Sequence, residues 1–391
     1  MAMYEGYSSD KPAVVLDIGA RYTKCGFVGE FTPRSIIPTE VKCPTTGLVR
    51  KVDDYKDEAD LYALLVAFIH KIYFRNLLGT PKDRHVVIVE SLLTPTIFRD
   101  TLAKVLFCHY EVASVLFVPS HLVVLCSLGV RTALVVDVGY KEAQVIPVYE
   151  GVLVLSAWEA QPLGAQSVEK RLRHNLLEAH KEIKNASGDA SKSNEDIYNL
   201  PESVIEDIKV RGCFATTYER GEMFRDGVTP KQPPCLDYRL GGNQVLKVPG
   251  WVRESAFEVI FEKDNDQSSL PNLILDAILK CSLDCRKPLA ENIFLVGGTV
   301  MAPGFKSRLL RELKELLKSP LYNTRLALIK FKIHTGLAQE NYACWLGGAL
   351  FGATDMISLR GFTKANYHKL KTVPDWSNLS TNTLFLSKLT I

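Results

Sequence analysis

One pattern occurs twice in the chain. Ala13-Val14-Val15-Leu16-Asp17-Ile18-Gly19 returns as Ala133-Leu134-Val135-Val136-Asp137-Val138-Gly139. In each copy an apolar run ends in Asp-x-Gly, and a few turn residues lead to a second β-rich run, Thr23 to Val28 or Ala143 to Tyr149. Each copy therefore reads as a β-hairpin with glycine at its tip. A single Asp-x-Gly is ordinary hairpin chemistry. Two copies with matched flanks point to two related lobes. A chain of 391 residues that is 47% hydrophobic can fill a core in each.

A third glycine turn follows the buried-strand pattern Ile293-Phe294-Leu295-Val296, where Gly297-Gly298-Thr299 leads toward a helix. Phe305, Leu309, Leu310, Leu313, Leu316 and Leu317 form its apolar stripe, with Lys306, Arg311, Glu312 and Lys314 placed off it. A strand, a glycine turn and a helix start can accept an anion, because unpaired backbone N–H groups point outward there.

The remaining composition excludes several classes. The 47 basic and 44 acidic residues nearly cancel, to +3, and no Lys/Arg run has the density of a nucleic-acid footprint. Nine cysteines are scattered; only Cys281 and Cys285 lie close together, without a second pair or histidine cluster to complete a zinc site. They read as reduced, mostly buried thiols. The first residues lack the order of a secretory signal, so secretion is not expected. Pro119-Ser120-His121 splits the apolar stretch Val112 to Val130 into a strand-like and a helix-like half, which argues against membrane insertion. Lys184 to Asp196 and Asp226 to Leu240 read as surface loops.

These features resemble the superfamily of actin, the large heat-shock chaperones and the sugar kinases, and the detail favours the actin family. Leu16-Asp17-Ile18-Gly19, Lys24 to Gly29, Pro33-Arg34, Ile146 to Gly151, Asp207-Ile208-Lys209, Asp284 to Lys287, Val296-Gly297-Gly298-Thr299 and Trp345 to Gly348 are similar to actin segments, in actin's order. The similarity runs from about residue 13 to about residue 370. The resemblance implies an α/β, actin-like two-lobed fold of duplicated ribonuclease H-like domains with a truncated subdomain 2. Residues 1–130 with 336–391 would form the smaller lobe (subdomain 1 and a reduced 2), and 131–335 the larger (subdomains 3 and 4). It also implies ATP or ADP with Mg2+ as the ligand, clamped between two lobes, here held weakly or not at all. Its binding positions would be Asp17, Gly19, Lys24, Asp137, Gly139, Lys209, Gly297, Gly298 and Thr299.

The chain departs from that family where phosphate is gripped and cut. Ala20 and Arg21 stand in place of a serine and a small tip glycine, and Val138, Tyr140 and Lys141 alter the second hairpin. Ser120 and Gln144 stand where actin has its water-positioning glutamine and histidine. Such groups contribute roughly 10²–10⁴ in rate, so no useful ATPase and no catalytic residue are expected. At the nucleoside end Val210 and Ala302 replace a glutamate and a tyrosine. His121, beside the missing glutamine, reads as a buried structural residue rather than a substitute base.

Between Pro38 and a helix near Asp57 the chain has room for one short hairpin, where actin places its subdomain 2 and pointed-end contact. The segment aligned with actin's inter-strand plug, Phe261 to Leu270, is shortened and carries Glu262, Lys263, Asp264 and Asp266. Within the family these traits are similar to the actin-related proteins at the pointed end of dynactin. The resemblance implies a cytoplasmic, cytoskeletal structural subunit. Its partners would be the dynactin actin-like filament and other pointed-end subunits, with dynein reached indirectly, and no nucleic acid. An actin-like ATPase and a nuclear actin-related subunit of a chromatin-remodelling complex are the alternative expectations.

Overall fold

The computed structural model describes residues 11–42, 47–187, 199–228, 230–241, 244–328 and 330–375. They divide into two compact units: residues through Val130 joined by those from Gly336 onward, and Arg131–Thr335.

The first unit is built on a six-stranded sheet. β1 (Val14–Ile18) and β2 (Tyr22–Phe27) form the first hairpin, with β3 (Ser35–Pro38) antiparallel on β2. On the other side β6 (His85–Glu90) and β7 (Ser114–Pro119) run parallel to β1, and the strand Phe362–Thr363 closes the edge. β1, β6 and β7 are nearly continuous apolar runs because both of their faces are covered. The helix Ala343–Gly352 packs on the sheet through glycine: a Cβ at Gly348 would overlap the Val89 side chain of β6, and one at Gly347 the carbonyl of Val123 beyond β7. Trp345, fully buried in that helix, donates Nε1–H to Val15 O at 3.1 Å.

Within the eighteen residues 39–56, the described residues form one antiparallel pair of short strands, β4 (Glu40–Lys42) and β5 (Val49–Lys51). Next, α1 (Glu58–Lys71) begins at Asp57, whose carboxylate accepts from Asp60 N at 2.8 Å. After α2 (Thr96–Lys104), the apolar stretch beginning at Val112 does split at Pro119: β7 ends there, and α3 (Ser120–Val123) and a 3-10 turn, Val124–Ser127, follow. No helix among the described residues is long and apolar enough to cross a membrane.

The second unit repeats the hairpin and parallel-strand plan. β8 (Ala133–Val138) and β9 (Ala143–Tyr149) form the second hairpin, β10 (Val152–Leu153) and β11 (Glu159–Gln161) pair with β9, and α4 (Ala165–Ser187) follows. Beyond a separate ribbon of β12 (Leu236–Gly241) and β13 (Gln244–Val248), β14 (Ile293–Val296) joins β8 in parallel and carries β15 (Ile333–His334).

Five sequence expectations need correction or limits. Lys184 to Ser187 are helical, as the end of α4; the rest of the loop expected through Asp196 lies outside the described residues. The run ending at Leu240 is not all loop, because Leu236, Tyr238 and Leu240 alternate onto the core as β12. Three prolines just before it masked that period. Of the eight described cysteines only Cys25, Cys213, Cys281 and Cys285 are buried. The tail from residue 376 and residues 1–10 also lie outside the described set, although Asp375 is anchored by Arg99 at 2.7 Å.

The fifth correction concerns the helix Phe305–Leu316. Its stripe packs as expected, but Glu312 is buried with it rather than facing water. Arg308 explains why. Its side chain has no exposed area, and it donates to Glu258 at 2.9 and 2.8 Å, to Glu312 at 2.9 Å, and to the carbonyls of Thr216 and Thr217 at 3.0 and 3.1 Å. Arg225 donates to the same Glu312 oxygen at 2.5 Å. Buried charge is tolerated because every carboxylate is bridged by guanidinium.

Candidate functional site

Each unit presents a glycine-tipped hairpin, and the local chemistry of the two differs. In the first, the antiparallel register makes Asp17 and Lys24 direct cross-strand partners, and their side chains meet at 3.2 Å, each 16% exposed. Gly19 N donates to Tyr22 O at 3.2 Å to close the turn. A Cβ on Gly19 would stand 2.8 Å from that same carbonyl, so the glycine is required by the turn itself. Thr39 pins the tip from the end of β3: its Oγ1 donates to Gly19 O at 2.7 Å and shares a 2.8 Å hydrogen bond with Thr23 Oγ1. Thr23 and Thr39 are both buried and were invisible to motif reading; only their positions beside the glycine turn hinted at a role.

In the second unit, Gly139 N donates to Glu142 O at 3.0 Å. The Gly139 carbonyl accepts from Thr299 Oγ1 at 2.7 Å and from Ala165 N at 3.0 Å. The parallel register sets Val296 opposite Asp137, which brings the Gly297 turn against the hairpin. Gly297 has φ +96°, and a Cβ there would overlap Val138 O and approach Asp137 Oδ1 to 2.8 Å. Nothing lies within 4 Å of the place a Cβ would take on Gly298. Asp137, Gly139, Gly297 and Thr299 are thus assembled at one locus, with open space over the adjacent Gly298.

Lys209, on the helix Glu202–Gly212, is held by a residue that sequence reasoning missed. Glu169 of α4 accepts from Lys209 Nζ at 2.6 Å and from the Tyr140 hydroxyl at 3.2 Å. Glu169 lies in the amphipathic pattern of α4, which offers no local sign of this pairing. Val210, next to Lys209, is 66% exposed and has no polar side-chain atom to offer.

The two positions read as replacing water-orienting groups are enclosed. Ser120 is buried, its Oγ 3.0 Å from His121 Nδ1. His121 is fully buried, desolvation pushes its pKa down to about 3, and Nε2 has no hydrogen-bond partner. It is therefore a neutral core histidine at ordinary pH. Gln144 is likewise buried and donates Nε2–H to Glu142 at 3.1 Å; burial pushes the Glu142 carboxyl above the usual range.

A phosphate-bearing ligand fits part of this chemistry. In the second unit the space over Gly298 is what an approaching anion needs; the first unit, taken by itself, has the Lys24 cation beside its glycine turn. No described group of three or more His, Cys, Asp or Glu residues could hold a metal by itself.

The family model described as Actin matches residues 62–371. The chain belongs to the actin family. It is 28% identical over 441 aligned positions to Actin-related protein 10 of Dictyostelium discoideum, covering 95% of this chain and 90% of that protein. It is 24% identical over 385 positions to Putative actin-29 of the same organism, covering 91% and 94%. The two hairpins and the Gly297 turn thus stand within an actin-family α/β fold. Nucleotide and Mg2+ binding is a general property of that family, and the chain is an actin-related protein by its similarity.

Proposed function

We propose that this protein is a non-hydrolysing structural subunit that caps the pointed end of dynactin's actin-like filament. In that role it bridges to other pointed-end subunits in support of dynein-driven transport along microtubules, in the cytoplasm. The observation carrying the reading is the size of the 39–56 segment: two three-residue strands where actin has the subdomain that receives the next protomer. A subunit that docks by one face and lacks the complementary one ends a heterologous assembly. In these terms the unit through Val130 with residues from Gly336 is the smaller lobe, with a reduced subdomain 2. Arg131–Thr335 is the larger, with subdomains 3 and 4.

The chemistry of the hairpins supports the non-hydrolysing part. Asp17, Gly19, Lys24, Asp137, Gly139, Lys209, Gly297, Gly298 and Thr299 are the residues that would meet ATP or ADP with Mg2+. Glycine turns can approach phosphate. Yet Ser120 is buried beside His121, and Gln144 is buried with its Nε2 on Glu142, so both are withdrawn from the solvent that would supply an attacking water. The chain's own polar groups are thereby fitted to grip and not to turnover. At the nucleoside end Lys209 is neutralised by Glu169, which weakens the grip.

The test adds purified protein to actin-like filaments whose barbed ends are blocked. Pointed-end elongation is followed by single-filament microscopy, with phosphate release measured on the same preparation. Arrested ends without phosphate release are expected. Continued elongation refutes the cap, and steady release refutes the non-hydrolysing subunit.

A further inference from the structure

The second unit holds an open pocket of about 760 Å³, a size that suits one or two inserted side chains. Tyr218 and Phe224, from one short helix, and Phe261, from another, give it an aromatic wall that Leu316 extends. The charged residues around it are not equally available. Glu262 is bound bidentately by Arg171 at 3.1 and 2.6 Å. Glu312 is bridged by Arg225 and Arg308, and Glu315 by Lys318 at 2.8 Å and Arg311 at 3.3 Å. Each wall carboxylate thus has a cation on it already. Lys263, by contrast, makes no ion pair among the described residues and is exposed. Ser319, also in the wall, has a buried Oγ without a hydrogen-bond partner.

We propose that this pocket docks a partner polypeptide that presents an aromatic or long apolar side chain next to an acidic residue. The apolar side chain fills the space between Tyr218, Phe224 and Leu316. Its acidic neighbour meets Lys263. Saturated carboxylates leave no anion in the wall to attract a basic peptide, whereas the one uncommitted ammonium selects for negative charge. An aromatic anchor in a concave wall with a charged rim is the arrangement that concentrates binding energy in few residues. The pocket lies wholly within the second unit, so its chemistry is independent of the capping reading.

The experiment uses full-length protein and fluorescein-labelled ten-residue peptides with a central Trp-Asp, Trp-Lys, Ala-Asp or Ala-Lys pair, measured by fluorescence anisotropy. Trp-Asp peptides are expected to bind tightest. Lys263→Glu, an exposed substitution checked by an unchanged melting temperature, is expected to weaken them about tenfold and to favour Trp-Lys instead. Phe224→Ala is expected to weaken both Trp series. Equal binding of all four peptides, or Trp-Asp binding untouched by Lys263→Glu, overturns the proposal. So does a concentration-dependent dimer in sedimentation that Lys263→Glu abolishes, because the occupant is then a second copy of this chain.

Discussion

Glu258→Ala tests whether the buried Arg308 cluster holds the second unit together. The carboxylate is 1% exposed and meets two of Arg308's nitrogens at 2.9 and 2.8 Å, so its removal leaves a guanidinium with no exposed area short of its main counter-charge. Breaking such a pair costs about 3–5 kcal/mol. Arg308 keeps Glu312 and the carbonyls of Thr216 and Thr217, which places the loss near the lower end, about 3 kcal/mol. For a unit of about two hundred residues, each kcal/mol lowers the melting temperature by about 2–4 °C, so a drop of about 6–12 °C is expected. Scanning calorimetry reads it directly. The double variant Glu258→Leu/Arg308→Met should recover part of the loss, since apolar replacement of a buried pair is often close to neutral, less what Arg308 gave to Glu312 and the Thr216 and Thr217 carbonyls. A single variant melting within 2 °C of the parent would refute the reasoning. A double variant worse than the single would refute its electrostatic part, and leave packing as the cause.

Other substitutions probe the hairpins. Gly297→Ala should destabilise by at least about 1–2 kcal/mol from its positive φ alone, read by chemical denaturation, because the new methyl also meets Val138 O. Thr39→Val strands the Gly19 carbonyl and should cost about 1–3 kcal/mol in the same assay. Tyr140→Phe removes one 3.2 Å hydrogen bond and leaves Lys209 on Glu169, for about 0.5–1.5 kcal/mol. For His121 the folded pKa is depressed to about 3, so its stabilisation is present above the unfolded value near 6.5 and is lost as pH falls from there toward 3. Stability should fall most steeply in the middle of that window, by up to about 1.4 kcal/mol per pH unit, and His121→Gln should flatten that part of the profile in urea titrations at successive pH values.

Periodicity and glycine spacing carried the architecture because both are local. The repeat at Asp17 and Asp137 placed two hairpins correctly, since an apolar run ending in Asp-x-Gly has few ways to continue. Proline hid β12, whose alternation of Leu236, Tyr238 and Leu240 spans only six residues after a proline-rich lead. Glu312 was misplaced for a different reason. Helical spacing reports which face a residue shares, but whether a carboxylate can be buried there depends on its cations, here Arg308 one turn back and Arg225 from a distant part of the chain.

The same distinction separates what the site positions reveal from what they conceal. A glycine such as Gly19 or Gly297 is legible because the turn needs it, and for that reason its presence alone says little about a ligand. Polar partners decide chemistry, and here they come from far away: Glu169 reaches Lys209 across forty residues, and Thr299 reaches Gly139 across one hundred and sixty. Ser120 and Gln144 show the consequence. Their identities suggested only shorter or altered water-orienting groups, whereas their burial against His121 and Glu142 commits them to the protein interior. A Ser120→Gln exchange would therefore not recover hydrolysis, because a longer amide at a position with 6% exposure must displace His121 before it can reach any water. Phosphate release from that variant without loss of stability would show that the serine position opens outward, and would remove the main physical support for a non-hydrolysing subunit.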